Sequence, residues 1–251
     1  MKTRLDKLIL QRGLAPSRER AQALVLAGRV LVNEQKIDKA GASVDDEAAI
    51  RVLGDDNPYV SRGGLKLARG MEHWHIDVRE KVCLDIGTST GGFTDCLLQN
   101  GAAQVIAVDT GYGQIDAKLR NHPRVRLLEK TNARYLTAQQ LWPAENARQP
   151  VGLVAIDVSF ISATLVLPAV VSCAKGSGNF ELVVLVKPQF EVGRENVGKG
   201  GIVRDVESQQ MAVERVRKAV AEVGGSDIEV VDSPILGAEG NREFLLHARF
   251  G

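Results

Sequence analysis

The arrangement of apolar and polar residues divides the chain into two parts with different rhythms. In the first part, apolar positions three or four residues apart predict two short helices, over residues 4–14 and 17–28. A strand at 30–32, a turn at 33–35 and a second strand between residues 44 and 52 follow. The first 53 residues are therefore predicted to form a small α+β domain.

A regular alternation of strands and helices begins after residue 80. The predicted strands are 82–86, 104–108, 125–128, 153–156, 182–186, 228–231 and 243–248, and the predicted helices are 92–99, 114–120, 161–171 and 206–223. Repeated strand–helix units are typical of α/β proteins, in which helices cover both faces of a mostly parallel sheet. The polar, turn-rich stretch 54–60 is the expected linker, so that the second domain covers residues 61–251.

Composition narrows the class of protein. A chain of 251 residues suits one small module and one α/β domain. It has neither a secretory signal nor an apolar stretch long enough to span a membrane, so we expect a cytoplasmic protein. The three cysteines form no C-x-x-C pair, which favours a reducing compartment. The four histidines do not cluster with other ligand residues, and no metal site is expected.

Charge is distributed unevenly. Residues 1–39 carry nine Lys or Arg against four acids, a net charge of +5, whereas residues 40–60 carry one Arg and five acids, a net −4. A basic patch at one end suits a polyanion such as RNA. On charge alone, an ordinary solvated face explains the pattern equally well.

The N-terminal segment resembles the RNA-binding domain named after protein four of the small ribosomal subunit. The matching residues include Arg4-Leu5-Asp6, Ser17-Arg18 and Gly28-x-Val30-x-Val32-Asn33. Two short helices and a hairpin would place basic side chains near a phosphate backbone, where they position the protein without reading bases. The predicted contacts are Arg4, Arg12, Arg18, Arg20, Arg29 and Lys36.

A glycine-rich loop follows the first strand of the second part, in the order D-x-G-x-x-x-G-G-F-T from Asp85 to Thr94. Glycines allow close approach to a ligand, and Asp109, at the end of the next strand, can accept hydrogen bonds from ribose hydroxyls. An acid two residues before the first glycine would repel a pyrophosphate but suits an amino group and a sulfonium. The loop therefore favours S-adenosylmethionine over a dinucleotide. The predicted cofactor contacts are Asp85, Gly87, Ser89, Thr90, Gly91, Gly92, Phe93, Asp109, Asn132 and Asp157.

Not every predicted contact has a single explanation. Asn132 follows the third strand and could meet the adenine, although it is also a typical turn or cap residue. A single Asp or Lys at a strand end is more often a surface ion pair than a catalyst. Lys187 is harder to dismiss, because it directly follows an apolar strand, where burying a lysine is costly.

Four charged residues recur in order along the second part: Lys66, Asp157, Lys187 and Glu243. They match the Lys–Asp–Lys–Glu tetrad of FtsJ-like ribose 2′-O-methyltransferases. Glu243 is preferred to Glu239 because it follows Gly-Asn and precedes the last strand. In this chemistry a lysine accepts the hydroxyl proton or stabilises the developing alkoxide, and the pattern leaves open which lysine is the base.

The whole chain resembles the TlyA (haemolysin A) family of ribosomal RNA methyltransferases. The resemblance is carried by segments such as Ser61-Arg62-Gly63, Gly111-Tyr112-Gly113-Gln114 and Lys187-Pro188-Gln189-Phe190. It implies a Rossmann-like methyltransferase fold whose seven-stranded sheet has an antiparallel last strand. It also implies S-adenosylmethionine as cofactor and a cytidine ribose of ribosomal RNA as substrate. Short ends favour the large subunit within the family, and we expect a monomer or weak dimer.

A glycine-rich basic loop at 193–201 follows Lys187. Its Arg194 and Lys199, together with Arg62, are predicted to contact RNA, because the loop lies beside the candidate site in the sequence; a long mobile connection is the alternative. Packing in the core or in a lid is the expectation for Phe160 and Phe190, and stacking on a splayed base is the alternative.

Three other functions are the alternatives to ribose methylation. One is a non-catalytic RNA-binding or ribosome assembly factor, which the intact loop and tetrad disfavour. Another is a haemolysin-type membrane-active protein, for which the sequence offers no amphipathic basic helix of the inserting kind. The third is a base methyltransferase, which would need a catalytic Cys or an Asn/Asp-Pro-Pro-Tyr/Phe motif where Asp157-Val158-Ser159-Phe160 stands.

Overall fold

The computed structural model describes residues 2–15, 17–53, 57–142, 149–176, 178–237 and 240–251. The chain forms two compact units, Met1–Asn57 and Pro58–Gly251. Of the predicted linker, residues 54–56 lie outside the described residues, and so does Glu239.

The described residues of the N-terminal unit form two helices and five short strands. These are β1 (Lys2–Arg4), α1 (Leu5–Gln11), α2 (Arg18–Leu26), β2 (Val30–Val32), β3 (Gln35–Lys36), β4 (Ser43–Asp45) and β5 (Ile50–Val52). Strand β2 lies between β3 and β5, and β1 pairs with β4, all antiparallel. The helices pack their apolar residues, among them Leu5, Ile9 and Leu24, into a core of their own.

The predicted elements of this unit form with shifted ends. The helix predicted from residue 4 begins at Leu5, because residues 2–4 pair with β4 instead. The stretch predicted to hold one strand holds two, which pair with different partners. Ser17 caps α2 by accepting a hydrogen bond from the Arg20 amide at 3.2 Å, as its position before an apolar run predicts.

The C-terminal unit alternates strands and helices. Its elements are α3 (Gly63–His73), β6 (Val82–Ile86), α4 (Gly92–Gln99), β7 (Gln104–Val108), α5 (Ala117–Arg120), β8 (Val125–Leu128), α6 (Ala138–Leu141), β9 (Val151–Ile156), α7 (Leu167–Lys175), β10 (Phe180–Val186), α8 (Pro188–Glu191), α9 (Val206–Glu222), β11 (Ser226–Asp232) and β12 (Phe244–Phe250).

The seven strands β6 to β12 form one sheet in the order β11-β12-β10-β9-β6-β7-β8. The neighbours from β10 to β8 are parallel, and β12 is antiparallel to both β10 and β11. This confirms the predicted fold. The chain leaves β6 towards β7 on one side and returns to β9 on the other, so a crevice opens at the carboxyl ends of β6 and β9, where open α/β sheets bind ligands.

Both faces of the sheet are covered. Helices α7 and α9 pack on one face, against residues such as Ile86, Ile156 and Val184. Helices α3 and α4 pack on the other, against Cys83 and Leu153. Burial on both faces explains why these strands are nearly continuous apolar runs rather than alternating ones. The rigid sheet fixes the positions of the strand ends that carry the candidate site.

Two predicted helices begin later than expected. Helix α5 begins at Ala117 rather than 114, because Asp116 acts as its N-cap and accepts a hydrogen bond from the Lys118 amide. Residues 163–165 form a separate 3-10 turn before α7, whose first turn contains Pro168. Proline suits a first helical turn because it has no amide hydrogen to donate.

Helix α3 was not predicted, because it opens with two glycines and includes a third. The structure shows why glycine is needed there. A Cβ at Gly64 would lie 2.2 Å from the Tyr59 ring, and one at Gly70 would lie 3.1 Å from the Trp74 ring. Close packing therefore outweighs the weak helix propensity of glycine.

Candidate active site

Two adjoining cavities open at the carboxyl ends of the central strands. The lysine cavity, of about 270 Å³, is lined by Lys66, Asp157 and Lys187 together with the loop after β6. The aspartate cavity, of about 410 Å³, is lined by Asp109 and by the loops after β7, β8 and β9. The two cavities share Gly87, Ser89, Asp157 and Ser159. A ligand can therefore extend from one cavity into the other.

The glycines of the loop after β6 lie where side chains would collide with their neighbours. Gly87 has φ +89°, and a Cβ there would lie 2.3 Å from the carbonyl oxygen of Asp157. A Cβ at Gly92 would lie 2.2 Å from Ser61 Oγ. Glycine thus lets the ends of β6, β9 and α3 approach closely and keeps the wall of both cavities thin.

Asp109 is held at the edge of its cavity by two backbone amides. Its Oδ2 accepts a hydrogen bond from the Ser89 amide at 2.7 Å, and its Oδ1 accepts one from the Gly111 amide at 2.6 Å. Each carboxylate oxygen retains capacity for another donor, so the pair remains able to accept ribose hydroxyls. These acceptor oxygens fit the ribose hydroxyls in the adenosine part of S-adenosylmethionine.

Asp85 lies behind the cavities rather than on their surface. It is fully buried, and its Oδ2 accepts a hydrogen bond from Thr94 Oγ1 at 2.5 Å. Its Oδ1 is buried without a hydrogen-bond partner among the described residues. Burial raises the pKa of the Asp85 carboxyl to about 7. Gly91 is likewise buried and does not line either cavity.

The remaining predicted cofactor contacts divide between the two cavities. Thr90, Gly92 and Phe93 line the lysine cavity. Asn132 lines the aspartate cavity, and its Oδ1 also accepts a hydrogen bond from the Arg134 amide at 3.0 Å. The structure thus brings Asn132 to the predicted place while giving it the capping role that was the alternative expectation.

The predicted tetrad forms two ion pairs. Lys66 Nζ donates to Glu243 Oε2 at 2.5 Å, and both side chains are buried. Lys187 Nζ lies 2.6 Å from Asp157 Oδ1 and donates to Ser159 Oγ at 2.8 Å. Glu243 lies one residue before β12, not within it, and does not line a cavity; it touches the lysine cavity through Lys66. Each acid is paired with a cation, so the four charges compensate one another at this edge of the sheet.

A buried carboxylate that the sequence analysis missed joins the loops after β9 and β10. Glu191 accepts hydrogen bonds from Ser162 Oγ at 2.5 Å and from the Ala163 amide at 2.7 Å. Its burial raises the pKa of the carboxyl. The only sequence signal is its position four residues after Lys187. Glu191 fixes the loop of Ser159 relative to the end of β10.

Phe160 is 93% exposed, next to Ser159 in the wall of the aspartate cavity. Its φ of +65° is unusual for a bulky residue. Its ring centroid lies 5.5 Å from that of Phe190. Core packing, one of the predicted roles, is therefore wrong for Phe160, and stacking on a base stays a prediction.

Of the three basic residues of the C-terminal unit that are predicted to contact RNA, one lines the site and two do not. Arg62 is exposed and lines the lysine cavity. Arg194 and Lys199 are exposed in the loop after α8 and line neither cavity.

Several basic residues of the N-terminal unit have partners within it. Arg4 and Arg18 both bind Asp6, and Arg12 NH1 donates to the Ala48 carbonyl at 2.7 Å. Arg29 Nε donates to the Leu53 carbonyl at 2.8 Å, while Arg20 is half-buried and Lys36 is exposed. Their predicted contacts with RNA stay predictions.

No described helix combines the length and apolarity needed to cross a membrane. Within the same residues, no group of three or more His, Cys, Asp or Glu side chains is arranged to hold a metal ion.

Comparison with known proteins agrees with this architecture. Residues 59–250 match the family model of the FtsJ-like methyltransferases, and residues 3–50 match that of the S4 domain. The 16S/23S rRNA (cytidine-2′-O)-methyltransferase TlyA of Mycobacterium tuberculosis is 44% identical, over 99% of this chain and 90% of its own length. Hemolysin A of Brachyspira hyodysenteriae is 40% identical, over 97% and 98%. The solved structure of a candidate hemolysin from Streptococcus thermophilus is 41% identical, with a TM-score of 0.74 over 99% of this chain and 88% of that one.

The fold and the site define an enzyme of the S-adenosylmethionine-dependent methyltransferase class. The chain belongs to the FtsJ-like methyltransferase family, with the TlyA proteins among its full-length relatives.

Proposed function

We propose that this enzyme transfers a methyl group from S-adenosylmethionine to the ribose 2′-hydroxyl of a cytidine in ribosomal RNA. The observation that carries the proposal is the lysine cavity, in which Lys66, Asp157 and Lys187 meet beside the loop after β6. Asp109 and the loop after β6 would hold the cofactor, and the lysine cavity shares Gly87, Ser89, Asp157 and Ser159 with the aspartate cavity. The site offers cations and a carboxylate, which suit a hydroxyl substrate.

Within the lysine cavity, Lys187 is the residue proposed to meet the ribose oxygen. Bound S-adenosylmethionine supplies a methyl group activated on a sulfonium. A ribose hydroxyl must lose its proton as its oxygen bonds to carbon. Lys187 Nζ takes that proton if it is the neutral amine; as a cation it stabilises the negative oxygen while the proton passes to water. Asp157 and Ser159 fix the position of Nζ, at 2.6 and 2.8 Å.

Lys66 is the second cation of the cavity, and Glu243 holds it in place. The buried pair fixes the position of Lys66 Nζ in the lining of the cavity. We propose that the two lysines together hold the ribose in line with the methyl group. Alignment of well-oriented reactants contributes roughly 7–11 kcal/mol to such reactions, and it requires groups that do not move, which ion-paired lysines provide.

The proposed substrate follows from the N-terminal unit and from the relatives. An S4 domain with a net charge of +5 over residues 1–39 suits the phosphate backbone of RNA. The Mycobacterium tuberculosis relative is named for cytidines of both 16S and 23S rRNA. We propose the large-subunit RNA as the main substrate and the cytoplasm, where ribosomes are assembled, as the location.

Mapping of ribose methylation on ribosomal RNA tests the proposal. RNA from cells that lack the enzyme is compared with RNA from cells that produce the wild-type protein or its Lys187→Ala variant. The proposal requires one or more cytidines that gain a 2′-O-methyl group only with the wild-type protein. Methylation of a base, or no new methylation in either subunit, contradicts it.

The same strains, and the proteins purified from them, test two of the alternative functions. A non-catalytic assembly factor would restore ribosome assembly equally well as wild type or Lys187→Ala, without new methyl groups. A membrane-active protein would release dye from liposomes of phosphatidylcholine, independently of Lys187. The hemolysin names of some relatives make this second assay worthwhile.

A further inference from the structure

The N-terminal unit contains one buried carboxylate that binds two arginines at once. Asp6 lies in the first turn of α1 and is 0% exposed. Buried acids are rare in proteins unless they are paired, because desolvating a charge is costly. The partners of Asp6 therefore account for its presence in a small core.

Three side chains donate to Asp6. Arg4 does so with two nitrogens, Nε to Oδ1 at 3.1 Å and NH2 to Oδ2 at 3.0 Å. Arg18 Nε donates to Oδ2 at 3.0 Å, and Gln22 Nε2 donates to the same oxygen at 2.8 Å. These hydrogen bonds, with that of Arg4 foremost, hold the pKa of Asp6 well below its usual range. The carboxylate is therefore charged whenever the domain is folded at neutral pH.

The two arginines come from different elements, and Asp6 brings them together. Arg4 ends β1, whereas Arg18 begins α2. Gly41 lies against the Arg4 guanidinium, since a Cβ there would be 3.4 Å from both NH1 and NH2. Asp6 thus holds Arg4 at the end of β1 and Arg18 at the N-terminus of α2, and a side chain at residue 41 would crowd the Arg4 guanidinium.

Both guanidiniums keep donors for another ligand. The Arg4 and Arg18 side chains are 48% and 41% exposed. Each arginine has five N–H donors, and those of Arg4 NH1 and of both terminal nitrogens of Arg18 have no partner among the described residues. Exposed guanidinium donors in fixed positions match the oxygens of a phosphate.

We propose that Asp6 is a positioning residue that holds Arg4 and Arg18 as a single phosphate-binding fork for the RNA backbone. The inference rests on the proposed function, in which RNA is the partner of this unit. Orienting the arginines before binding reduces the conformational freedom that is lost on binding. Asp6 therefore strengthens the binding of an anion although it is itself an anion.

This last property gives a sharp test. The Asp6→Asn variant removes a negative charge beside the two arginines, so charge alone predicts tighter binding to RNA. The fork predicts weaker binding. Binding of ribosomal RNA from cells that lack the enzyme is measured by filter binding between about 50 and 300 mM NaCl, over which the Debye length falls from about 14 to about 6 Å. We expect Asp6→Asn to weaken binding at least about fivefold, which corresponds to roughly 1 kcal/mol.

Two further variants show whether Asp6 acts through the arginines. Arg4→Ala/Arg18→Ala should weaken binding at least as much as Asp6→Asn does, and adding Asp6→Asn to this double variant should then change little, by less than about twofold. Full additivity of the two losses overturns the inference. The matched control is Glu34→Gln, which breaks the exposed Glu34–Arg51 pair of the same unit and should bind as well as wild type or better.

A variant that keeps the buried carboxylate and both positive charges covers the case in which Asp6→Asn unfolds the unit. Arg4→Lys/Arg18→Lys retains both charges and the buried carboxylate but removes the planar forks. Hydrogen exchange of α1 and α2 reports whether each variant is folded. Loss of affinity in the double lysine variant supports the fork, and wild-type affinity overturns it.

The outcome also separates this inference from the proposed function. Failure of the proposed function is seen in the wild-type protein, as absence of RNA binding or of new 2′-O-methylation. Failure of the fork alone is seen as normal binding and methylation by wild type together with unchanged or tighter binding by Asp6→Asn.

Discussion

Lys66 and Glu243 are 177 positions apart in the chain, yet Lys66 Nζ lies 2.5 Å from Glu243 Oε2 in a buried ion pair. The pair joins α3 to the residue before β12 and so links one face of the sheet to its antiparallel strand. A Cβ at Gly237 would lie 2.0 Å from Glu243 Oε1, which shows how closely the surrounding loop covers the carboxylate. The pair therefore contributes both to the packing of the C-terminal unit and to the lining of the lysine cavity.

Breaking this pair on one side should destabilise the enzyme. Lys66→Met leaves Glu243 buried without its cation, at an expected cost of roughly 3–5 kcal/mol in the free energy of unfolding. Lys66→Met/Glu243→Gln should recover part of that stability but no methyl transfer. Urea unfolding and transfer of a radioactive methyl group measure the two effects. The control Lys218→Met, in an exposed pair with Glu222, should change stability by less than about 0.5 kcal/mol. Equal stability of Lys66→Met and wild type contradicts the prediction.

Lys187→Ala should abolish transfer while preserving the cofactor site. Because Lys187 is proposed to meet the ribose oxygen, its removal should lower kcat on the order of 10²-fold or more. Affinity for S-adenosylmethionine, measured by calorimetry, should change by less than about threefold, a margin below 1 kcal/mol. The matched control is Lys118→Ala, on the exposed surface of α5. A variant that keeps a tenth of wild-type kcat would exclude Lys187 from the chemical step.

Much of the fold was predictable because it depends on local pattern. The continuous apolar runs of β6 and β10 indicate strands buried on both faces, and their order with the helices fixes a parallel sheet. Helix α3 escaped prediction because its glycines serve contacts with Tyr59 and Trp74, which no local propensity encodes. Helix α3 therefore forms because of its tertiary packing and not because of its local helix propensity.

The site could be predicted only as a set of residue types at strand ends. The pattern brought Asp157 and Lys187 together, since the carboxyl ends of parallel neighbours meet at one edge. It did not reveal that Asp85 lies behind the cavity, because burial depends on the packing of α4 over β6. Glu191 was missed for the same reason. Its partner Ser162 is close to it only in the folded chain.

The buried Asp85 predicts an unusual pH dependence of stability. Its pKa in the folded protein is about 7, well above the value near 4 of an unfolded chain. Between these values the folded state binds more protons, so its stability falls as pH rises from about 4 to 7. Asp85→Asn removes this effect.

The difference in unfolding free energy between Asp85→Asn and wild type, measured in urea without cofactor, should therefore grow in favour of the variant from pH 5 to pH 8. Taking the difference cancels the titration of other groups, provided that they keep their surroundings. A difference that is constant over this pH range would show that Asp85 ionises in the folded protein as it does in an unfolded chain.

Gly87 should tolerate no side chain. Gly87→Ala combines a left-handed backbone with a Cβ 2.3 Å from the Asp157 carbonyl oxygen. Gly178→Ala is the matched control, since Gly178 has φ +110° but no atom within 4 Å of its Cβ position and lies before β10, at the opposite end of the sheet. The control should lose about 1–2 kcal/mol from backbone strain alone.

Gly87→Ala should lose more stability than this control and should also bind S-adenosylmethionine at least about tenfold more weakly, a loss of roughly 1.4 kcal/mol or more. Calorimetry and thermal unfolding distinguish the two effects. If both variants bind the cofactor as wild type does, the approach of Gly87 to Asp157 has no role in the cofactor site.

Phe160 offers the clearest test of how the substrate is held. An aromatic ring that is 93% exposed gains little from burial, and φ +65° costs on the order of 1–3 kcal/mol, so its position needs a functional reason. Stacking of a nucleobase on an aromatic side chain contributes about 1–3 kcal/mol. Phe160→Gly should therefore keep or raise the stability, since it relieves the backbone, while lowering kcat/KM for ribosomal RNA roughly 5- to 150-fold.

Phe160→Trp should retain most of the activity. Glu80→Gly, at φ +60° on the exposed surface before β6, should show the gain in stability without the loss in activity. Wild-type kcat/KM in Phe160→Gly would mean that the strained backbone serves the shape of the loop after β9 and not the RNA.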